Sequence, residues 1–315
     1  MSAGAPLRTV VSKLEFQNPI VLAAGTAGYG QELAGVMRLD QLGGLVTKAV
    51  SLEPRGGAPA PRVAEFKGGM LNAVGLANPG LDAVRRDHVP WLAEHLPATR
   101  KIANIVGFEI EEYAAVIAGL ERGLAEQPQA IDAFELNVSC RNVKAGGMEF
   151  GADSRSLAAV IGGARASTRR PLFVKLSPTL ADIGESARIA VGAGADGISV
   201  VNTVPGLAVD VECRRPALGF GSGGVSGPAI LPIGVLATWR VRQAVSVPIL
   251  GVGGVASATD ALQYIIAGAS LVGIGTAAMR DPRAPERIVR DLERWCAAHR
   301  VSDIQELSGT LEWPR

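Results

Sequence analysis

The sequence is poor in cysteine, in aromatic residues and in clustered charge. Its three cysteines, Cys140, Cys213 and Cys296, are far apart, and none stands in a C-x-x-C pair. An odd number of scattered cysteines is typical of reduced thiols and not of a disulfide framework. The four sulfurs that an iron–sulfur cluster needs are also missing. We therefore expect neither a disulfide nor such a cluster on this chain.

Charge of neither sign dominates. Lys and Arg number 31 and Asp and Glu number 30, and no basic block marks a surface for nucleic acid or anionic lipid. The sequence contains no apolar run of about 18 residues, so no membrane-spanning helix is predicted. The N-terminus lacks the apolar core of a signal peptide, which favours a cytoplasmic protein. His88, His95 and His299 lie in polar stretches of helical character, so no metal site is expected.

Glycine and proline, by contrast, are abundant. They account for 39 and 19 of the 315 residues, beside 48% hydrophobic residues. Collagen-like and low-complexity chains are excluded, because their glycine and proline would be periodic or would replace the apolar residues. Length and composition together favour one large α/β domain over residues 1–315.

Short aliphatic runs alternate with segments of helical periodicity, which is typical of βα units. The predicted strands are residues 20–24, 45–50, 102–106, 133–139, 172–176, 197–202, 247–251 and 271–274. The predicted helices are residues 32–41, 81–95, 109–122, 156–167, 181–192, 230–244, 259–267 and 284–299. Eight such units predict a TIM (β/α)8 barrel. An open doubly wound sheet is the alternative, because its strands would be equally apolar.

Two connections are much longer than the others. Residues 51–80 follow the second predicted strand and residues 203–228 follow the sixth, and both are rich in glycine and proline. In a barrel, the βα loops lie over the active-site face. We therefore expect extended loops that cover a substrate, with a purely structural excursion as the alternative.

Polar residues interrupt or follow the predicted strands. Lys48, Asn104, Asn137 and Lys175 stand in apolar surroundings, where a polar group without a partner is unfavourable. A bound polar ligand is the simplest partner, since Glu135 is the main carboxylate that the strands offer. The other residues at strand ends are Gly25, Thr26, Ser139, Cys140, Asn202, Thr203, Gly253, Gly254, Gly275 and Thr276.

The last two predicted strands end in glycine-rich turns, where backbone N–H groups can approach a phosphate. The turn at residues 251–256 also matches G-x-G-x-x-A, but Leu271 and Val272 stand where a dinucleotide site would have an acidic residue. A phosphate site shared by the two strands is therefore favoured. Strand-borne lysines beside it suit either a flavin or Schiff-base chemistry, and composition and spacing leave both open.

Several long motifs, in one order, resemble those of class 1 dihydroorotate dehydrogenases, especially the NAD-linked class 1B. They are residues 47–55, 71–80, 135–147, 174–178, 201–203 and 224–229, and the resemblance runs from about Leu14 to the C-terminus. It implies a barrel that contains FMN and oxidises dihydroorotate to orotate in pyrimidine biosynthesis. It also implies that Cys140 is the general base, with Lys48 and Lys175 as further catalytic residues.

The resemblance also implies residues for substrate and for cofactor. The substrate residues are Lys48, Asn72, Gly75, Leu76, Asn137, Asn142, Asn202 and Thr203. The FMN residues are Ala24, Gly25, Thr26, Lys48, Ala49, Asn104, Asn137, Lys175, Val201, Gly227, Gly253, Gly254, Gly275 and Thr276. The sequence departs from the family at Arg141, where a proline usually follows the cysteine. Cys213 and Cys296 are expected to be small buried apolar side chains.

A partner is implied as well. The NAD-linked type works with an electron-transfer subunit that carries FAD and a [2Fe–2S] cluster, and the resemblance implies a heterotetramer around a homodimer of this chain. NAD would then bind the partner. The alternatives that stay open are a flavin barrel for another dihydropyrimidine, an enzyme that uses fumarate as acceptor, a Schiff-base aldolase through Lys175, and a flavin-binding protein without activity.

Overall fold

Eight parallel strands close into a barrel in the computed structural model, which describes residues 6–139, 141–142 and 148–314, with only the backbone of residues 141, 142 and 148. The strands are β1 (Ile20–Leu22), β2 (Gly44–Val46), β3 (Arg100–Ile105), β4 (Ala133–Asn137), β5 (Leu172–Leu176), β6 (Gly197–Val200), β7 (Ile249–Val252) and β8 (Leu271–Ile274). β8 pairs with β1 and closes the ring. The predicted TIM barrel is confirmed, and the open sheet is excluded.

Side-chain alternation divides the barrel interior into layers. The lower layer is apolar and consists of Val21, Val46, Ile102, Ala133, Phe173, Leu250 and Leu271. Because side chains alternate between the two faces of a strand, the residue two positions further along points inward again. These next inward residues include Asn104, Glu135 and Lys175, all of them buried. The interior therefore changes from apolar to polar toward the carboxyl ends of the strands.

An amino-terminal hairpin closes the apolar end of the barrel. Thr9–Val11 pairs with Leu14–Phe16 in antiparallel register. Val11 and Phe16 are buried and belong to the same cluster as the lower layer of the barrel. This hairpin fills the amino-terminal end of the barrel, and the polar interior lies toward the carboxyl ends of the strands.

Helices follow all barrel strands but the first. The helix after β2, called α1, runs through Leu81–Ala83, a π-helical stretch Val84–His88 and Val89–His95. The others are α2 (Ile110–Leu124), α3 (Ser154–Ala166), α4 (Ile183–Gly192), α5 (Leu231–Ala244), α6 (Ala258–Ala267), α7 (Thr276–Arg280) and α8 (Ala284–His299). Single turns of 3-10 helix are Leu39–Gln41, Phe150–Ala152, Pro228–Ile230 and Ile304–Leu307.

The predicted helix over residues 32–41 is wrong. Turns occupy most of this connection, and only Leu39–Gln41 forms a 3-10 turn. The carboxylate of Glu32 accepts a hydrogen bond from the N–H of Tyr29, so its side chain supports a turn. Gly35 in the middle further disfavours a helix. The apolar spacing that suggested a helix instead places Met37 and Leu39 against the core.

The two long connections form one antiparallel sheet, called the cover sheet. Its strands, in spatial order, are Val204–Gly206, Gly223–Ser226, Gly69–Asn72 and Val63–Phe66. The long connections follow β2 and β6, as predicted, and short strands form within them. Each connection forms one hairpin of this sheet, and the inner strands of the two hairpins pair with each other. The strands were not predicted because they are short, because several contain glycine, and because the pairing between the two hairpins joins distant segments.

Two further strand pairs are antiparallel and short. Val209–Asp210 pairs with Arg215–Pro216, and Arg141–Asn142 pairs with Met148–Glu149. Cys213 lies in the turn of the first hairpin and is exposed, so its predicted burial is wrong. A hairpin turn that points away from the body of the protein leaves its residues in solvent. Cys296 is buried on α8, as predicted.

In the described ranges, none of the helices has both the length and the apolar character needed to cross a lipid bilayer. The same residues contain no group of three or more His, Cys, Asp or Glu side chains placed to hold a metal ion.

Phe16 tests the role of the amino-terminal hairpin in stability. Because Phe16 is fully buried below the barrel, we expect Phe16→Ala to lower the free energy of unfolding by about 3 to 5 kcal/mol. Val10 on the same hairpin is 52% exposed, so Val10→Ala should change it by about 0.5 kcal/mol or less. Urea unfolding followed by circular dichroism measures both. Equal effects of the two substitutions would contradict the described packing.

Candidate active site

Lys175 provides a buried cation at the polar end of the barrel. It lies on β5, in register with Asn137 of β4 and Ser199 of β6. The residue is only 8% exposed. Among the described residues, none forms a hydrogen bond or ion pair with its Nζ atom. A buried ammonium group is unfavourable without a partner, so this group is suited to an acceptor on a ligand.

Lys48 lies just beyond β2, where the neighbouring elements fix the backbone. Its N–H donates to the carbonyl of Gly28 at 2.7 Å. The hydroxyl of Tyr29 donates to the carbonyl of Ala49 at 2.8 Å. Burial, aided by the charge of Glu32, raises the pKa of Tyr29, so this hydroxyl remains a donor. The predicted residues Lys48 and Ala49 are thus held beside the first βα turn.

Asparagine side chains meet where β4 and β6 end. The Nδ2 atom of Asn202 donates to Oδ1 of Asn137 at 3.2 Å, and the N–H of Ser139 donates to the same oxygen at 3.3 Å. The N–H of Thr203 donates to Oδ1 of Asn202 at 2.9 Å. The hydroxyl of Tyr113 donates a hydrogen bond to the backbone carbonyl of Asn137 at 2.9 Å. Three predicted substrate residues, Asn137, Asn202 and Thr203, are therefore brought together.

The cover sheet adds Asn72 to this group. Its Nδ2 atom donates to the carbonyl of Gly224 at 3.2 Å. A Cβ atom on Gly224 would lie 2.0 Å from Oγ1 of Thr203, so the sheet contacts the end of β6 directly. Gly75 and Leu76 follow in a left-handed turn, with φ of 69° and 58°. The predicted substrate residues of the two long connections thus lie on one structure.

Glycine-rich turns after β7 and β8 provide free backbone donors. Among the described residues, no carbonyl or side chain accepts from the N–H groups of Gly254, Gly275 or Thr276. The hydroxyl of Thr276 donates to Oγ of Ser226 at 2.8 Å, which connects this turn to the cover sheet. Free amides at two adjacent strand ends are suited to an anion such as a phosphate.

Positive φ angles require glycine at several of these positions. Gly25 has φ of 80° with no atom within 4 Å of a Cβ position, and Gly254 has φ of 76° with Leu231 N at 2.6 Å. Gly227 and Gly253 also have positive φ.

Ala24 and Thr26 form the turn after β1, where the N–H of Thr26 donates to the carbonyl of Ala23 at 3.1 Å. Val201 follows β6, and its N–H donates to the carbonyl of Val252 at 2.8 Å.

Glu135 bonds to neutral groups and to neither of the two lysines. Its Oε1 atom accepts from Nδ2 of Asn104 at 2.8 Å, and its Oε2 atom accepts from Oγ of Ser199 at 2.6 Å. Sequence reasoning did not identify Ser199, although its position on the inward face of β6 was available as a signal. Tyr29 and Tyr113 were also missed, and no sequence pattern indicated their hydrogen bonds.

The structure does not describe the side chains of two predicted site residues. Cys140, the predicted general base, lies outside the described residues. Of Asn142 only the backbone is described, in the pair with Met148. Their roles therefore remain predictions.

Comparison with known proteins identifies the relatives of this chain. Residues 6–295 match the family profile "Dihydroorotate dehydrogenase". A protein of Trichlorobacter lovleyi, named "Dihydroorotate dehydrogenase B (NAD(+)), catalytic subunit", is 46% identical over 96% of this chain and 97% of its own length. Proteins with the same name from Pelobacter propionicus and Desulforamulus reducens are each 45% identical, over 95% and 96% of this chain and 96% and 97% of their own lengths.

Gly254 and Gly25 form a matched pair for testing the turns. Both have positive φ, so alanine at either position should cost about 1 to 2 kcal/mol of unfolding free energy through backbone strain. Only at Gly254 does the added Cβ meet backbone atoms, with Leu231 N at 2.6 Å, so Gly254→Ala should cost at least about 1 kcal/mol more. Chemical unfolding of the two variants measures the difference. Equal losses would contradict the close approach of Gly254 to α5.

Proposed function

Because the chain belongs to the dihydroorotate dehydrogenase family, we propose that it oxidises dihydroorotate to orotate as the catalytic subunit of an NAD-linked enzyme of pyrimidine biosynthesis. The observation that carries this proposal is the buried, unpaired Lys175 beside Asn137, at the polar end of the barrel. The full-length relatives named as NAD-linked catalytic subunits support it. In a barrel that binds no ligand, a buried ammonium group without a partner would only be unfavourable for stability.

FMN is the cofactor that we propose for this site, and the described residues fit it. The free N–H groups of Gly254, Gly275 and Thr276 would hold its phosphate. Lys175 and Asn104 would face the polar pyrimidine edge of its ring. Gly25, with open space at its Cβ position, would let the ring approach the backbone. When bound, FMN supplies the acceptor for a hydride.

Dihydroorotate and its product fit the asparagine group. A planar anion with several carbonyl and N–H groups needs both donors and acceptors, and an amide offers both. Asn72, Asn137, Asn202 and Thr203 offer these from one side of the site. Lys48 would add a positive charge, and Gly75, Leu76 and Asn142 complete the proposed substrate residues. Their arrangement would orient the ring over the cofactor.

Cys140 is the proposed general base. Oxidation of a C–C bond to C=C removes one proton and one hydride from neighbouring carbons, so the site needs a proton acceptor besides the cofactor. In the sequence, Cys140 follows three positions after Asn137, the last residue of β4. A thiolate can accept the proton directly. After the product departs, the resulting thiol would release the proton to solvent and become a thiolate again.

An electron-transfer subunit is the proposed partner. The relatives are named as catalytic subunits, which implies a second chain. This chain has three scattered cysteines, too few for a cluster of its own. We therefore assign FAD, the [2Fe–2S] cluster and the NAD site to the partner, in a heterotetramer around a homodimer of this chain. The cytoplasmic location stays a prediction.

A comparison of electron acceptors tests the proposal. The FMN-loaded chain alone should oxidise dihydroorotate with an artificial dye and show no turnover with NAD or fumarate. Addition of the electron-transfer subunit should make NAD an acceptor. Orotate formation, followed by absorbance, measures each reaction. Turnover with fumarate by the chain alone would contradict the NAD-linked class, and no oxidation of dihydroorotate with any acceptor would contradict the function.

Replacement of Cys140 tests the proposed base. We expect Cys140→Ala to lower kcat by about 10² to 10⁴, the usual contribution of a general base, while FMN affinity stays unchanged. Cys213→Ala is the control, because Cys213 is exposed on a hairpin. Single-turnover reduction of the flavin measures the step directly. A Cys140→Ala enzyme that reduces its flavin at the wild-type rate would show that another group accepts the proton.

A further inference from the structure

Glu135 is a carboxylate buried inside the barrel, below the proposed flavin site. It is 1% exposed, and both of its oxygens accept hydrogen bonds, from Asn104 and from Ser199. Such burial is unfavourable, and apolar residues of similar size would often be at least as stable. The layer below shows that apolar side chains do fill this barrel. Packing alone therefore gives no reason for a carboxylate here.

The carboxylate decides how the amide of Asn104 is turned. Carboxylate oxygens accept hydrogen bonds and do not donate them, so Asn104 must direct Nδ2 toward Glu135. Its Oδ1 atom is then turned away from Glu135. Among the described residues, no donor bonds to this oxygen, although Asn104 is only 2% exposed. Glu135 thus converts an asparagine that could present either group into a fixed acceptor.

Lys175, on the neighbouring strand, forms no ion pair with Glu135 in the part of the chain that the structure describes. β4 and β5 are neighbours in the barrel, with Glu135 in register with Phe173 and Asn137 with Lys175. Opposite charges therefore lie on adjoining strands, two positions apart. Asn104 and Ser199 occupy one carboxylate oxygen each, and the described ion pairs do not include Glu135 with Lys175. The cation remains available to a ligand.

Resting on the proposed function, we propose that Glu135 is a positioning residue for the flavin. The pyrimidine ring of a flavin carries one N–H donor between two carbonyl acceptors. Asn104, oriented by Glu135, would accept from that N–H, and Lys175 would donate to a carbonyl beside it. Glu135 itself touches neither the ring nor the substrate, and acts through Asn104.

Glu135→Gln tests this role with a side chain of nearly the same size. Glutamine has one acceptor oxygen and one amide group that donates, so it cannot accept from both Asn104 and Ser199. Because Ser199 is fully buried and its hydroxyl needs an acceptor, the glutamine oxygen keeps that bond, and the amide then faces Asn104 and turns its Nδ2 atom toward the ring. We expect FMN affinity to fall about ten- to a hundredfold, as for a buried N–H donor that is left without an acceptor. The flavin midpoint potential should rise, because a negative charge near the reduced anion is removed. Fluorescence titration and redox titration measure the two effects.

Glu121→Gln is the matched control. The carboxylate of Glu121 also accepts from a hydroxyl and a second donor, in Thr168 and Arg170, but it lies on α2 outside the barrel. This variant should keep FMN affinity within about threefold and leave the potential unchanged. Equal losses of affinity in the two variants would overturn the proposal.

A double variant that exchanges the amide and carboxylate groups between positions 104 and 135 gives the decisive test. In the double variant Asn104→Asp with Glu135→Gln, the amide at 135 donates to the carboxylate at 104 and accepts from Ser199. Position 104 again presents an acceptor to the ring, so FMN affinity should return to within about threefold of wild type. This arm decides the case even where Glu135→Gln alone does not fold.

Three results would overturn the inference. They are wild-type affinity and potential in Glu135→Gln, no recovery in the exchanged variant, and an exchanged variant that does not fold. Wild-type protein that takes up no FMN would contradict the proposed function itself, and the inference with it. The titration of the wild-type apoprotein separates this case from the others.

Discussion

The alternation of side chains along eight closed parallel strands is the constraint on which this structure depends. In a closed barrel every second residue points to an interior that must be filled. Here the filling is apolar at the end that the amino-terminal hairpin covers and polar at the other. A shift of one residue in any strand would exchange its inward and outward side chains. The register that packs Phe173 thus also directs Lys175 into the site.

Polar groups inside the barrel are stable only as a connected set. The backbone around Lys48 and Asn104 is fixed by the hydroxyls of Tyr29 and Thr47, and Asn137 is fixed by Tyr113. Each of these bonds joins residues of different βα units. The site is therefore a property of the closed ring, and no single unit carries it. Sites built by the whole ring are common in TIM barrels, where catalytic residues come from the ends of several different strands.

The sequence predicts the barrel well because its signals are local. An aliphatic run such as β5 or β8 is bounded by clear breaks, and both strands were predicted with correct bounds. The failures concern features that depend on distant partners. Residues 32–41 had helical spacing, but Glu32 and Gly35 favour turns. The central pairing of the cover sheet joins segments about 150 positions apart, and such pairing leaves no local pattern.

Residues of the candidate site divide in the same way. Lys175 and Asn137 were predictable, because a polar residue in an apolar strand is conspicuous. The bond between Glu135 and Ser199 was not, because it follows from the order in which β4, β5 and β6 meet around the ring. The cover sheet has a consequence for protein engineering. Because each connection contributes one hairpin and the central strands of the two hairpins pair, with Gly224 opposite Asn72, neither connection can be grafted from another barrel alone. The two would have to be transferred together, although the chain encodes them far apart.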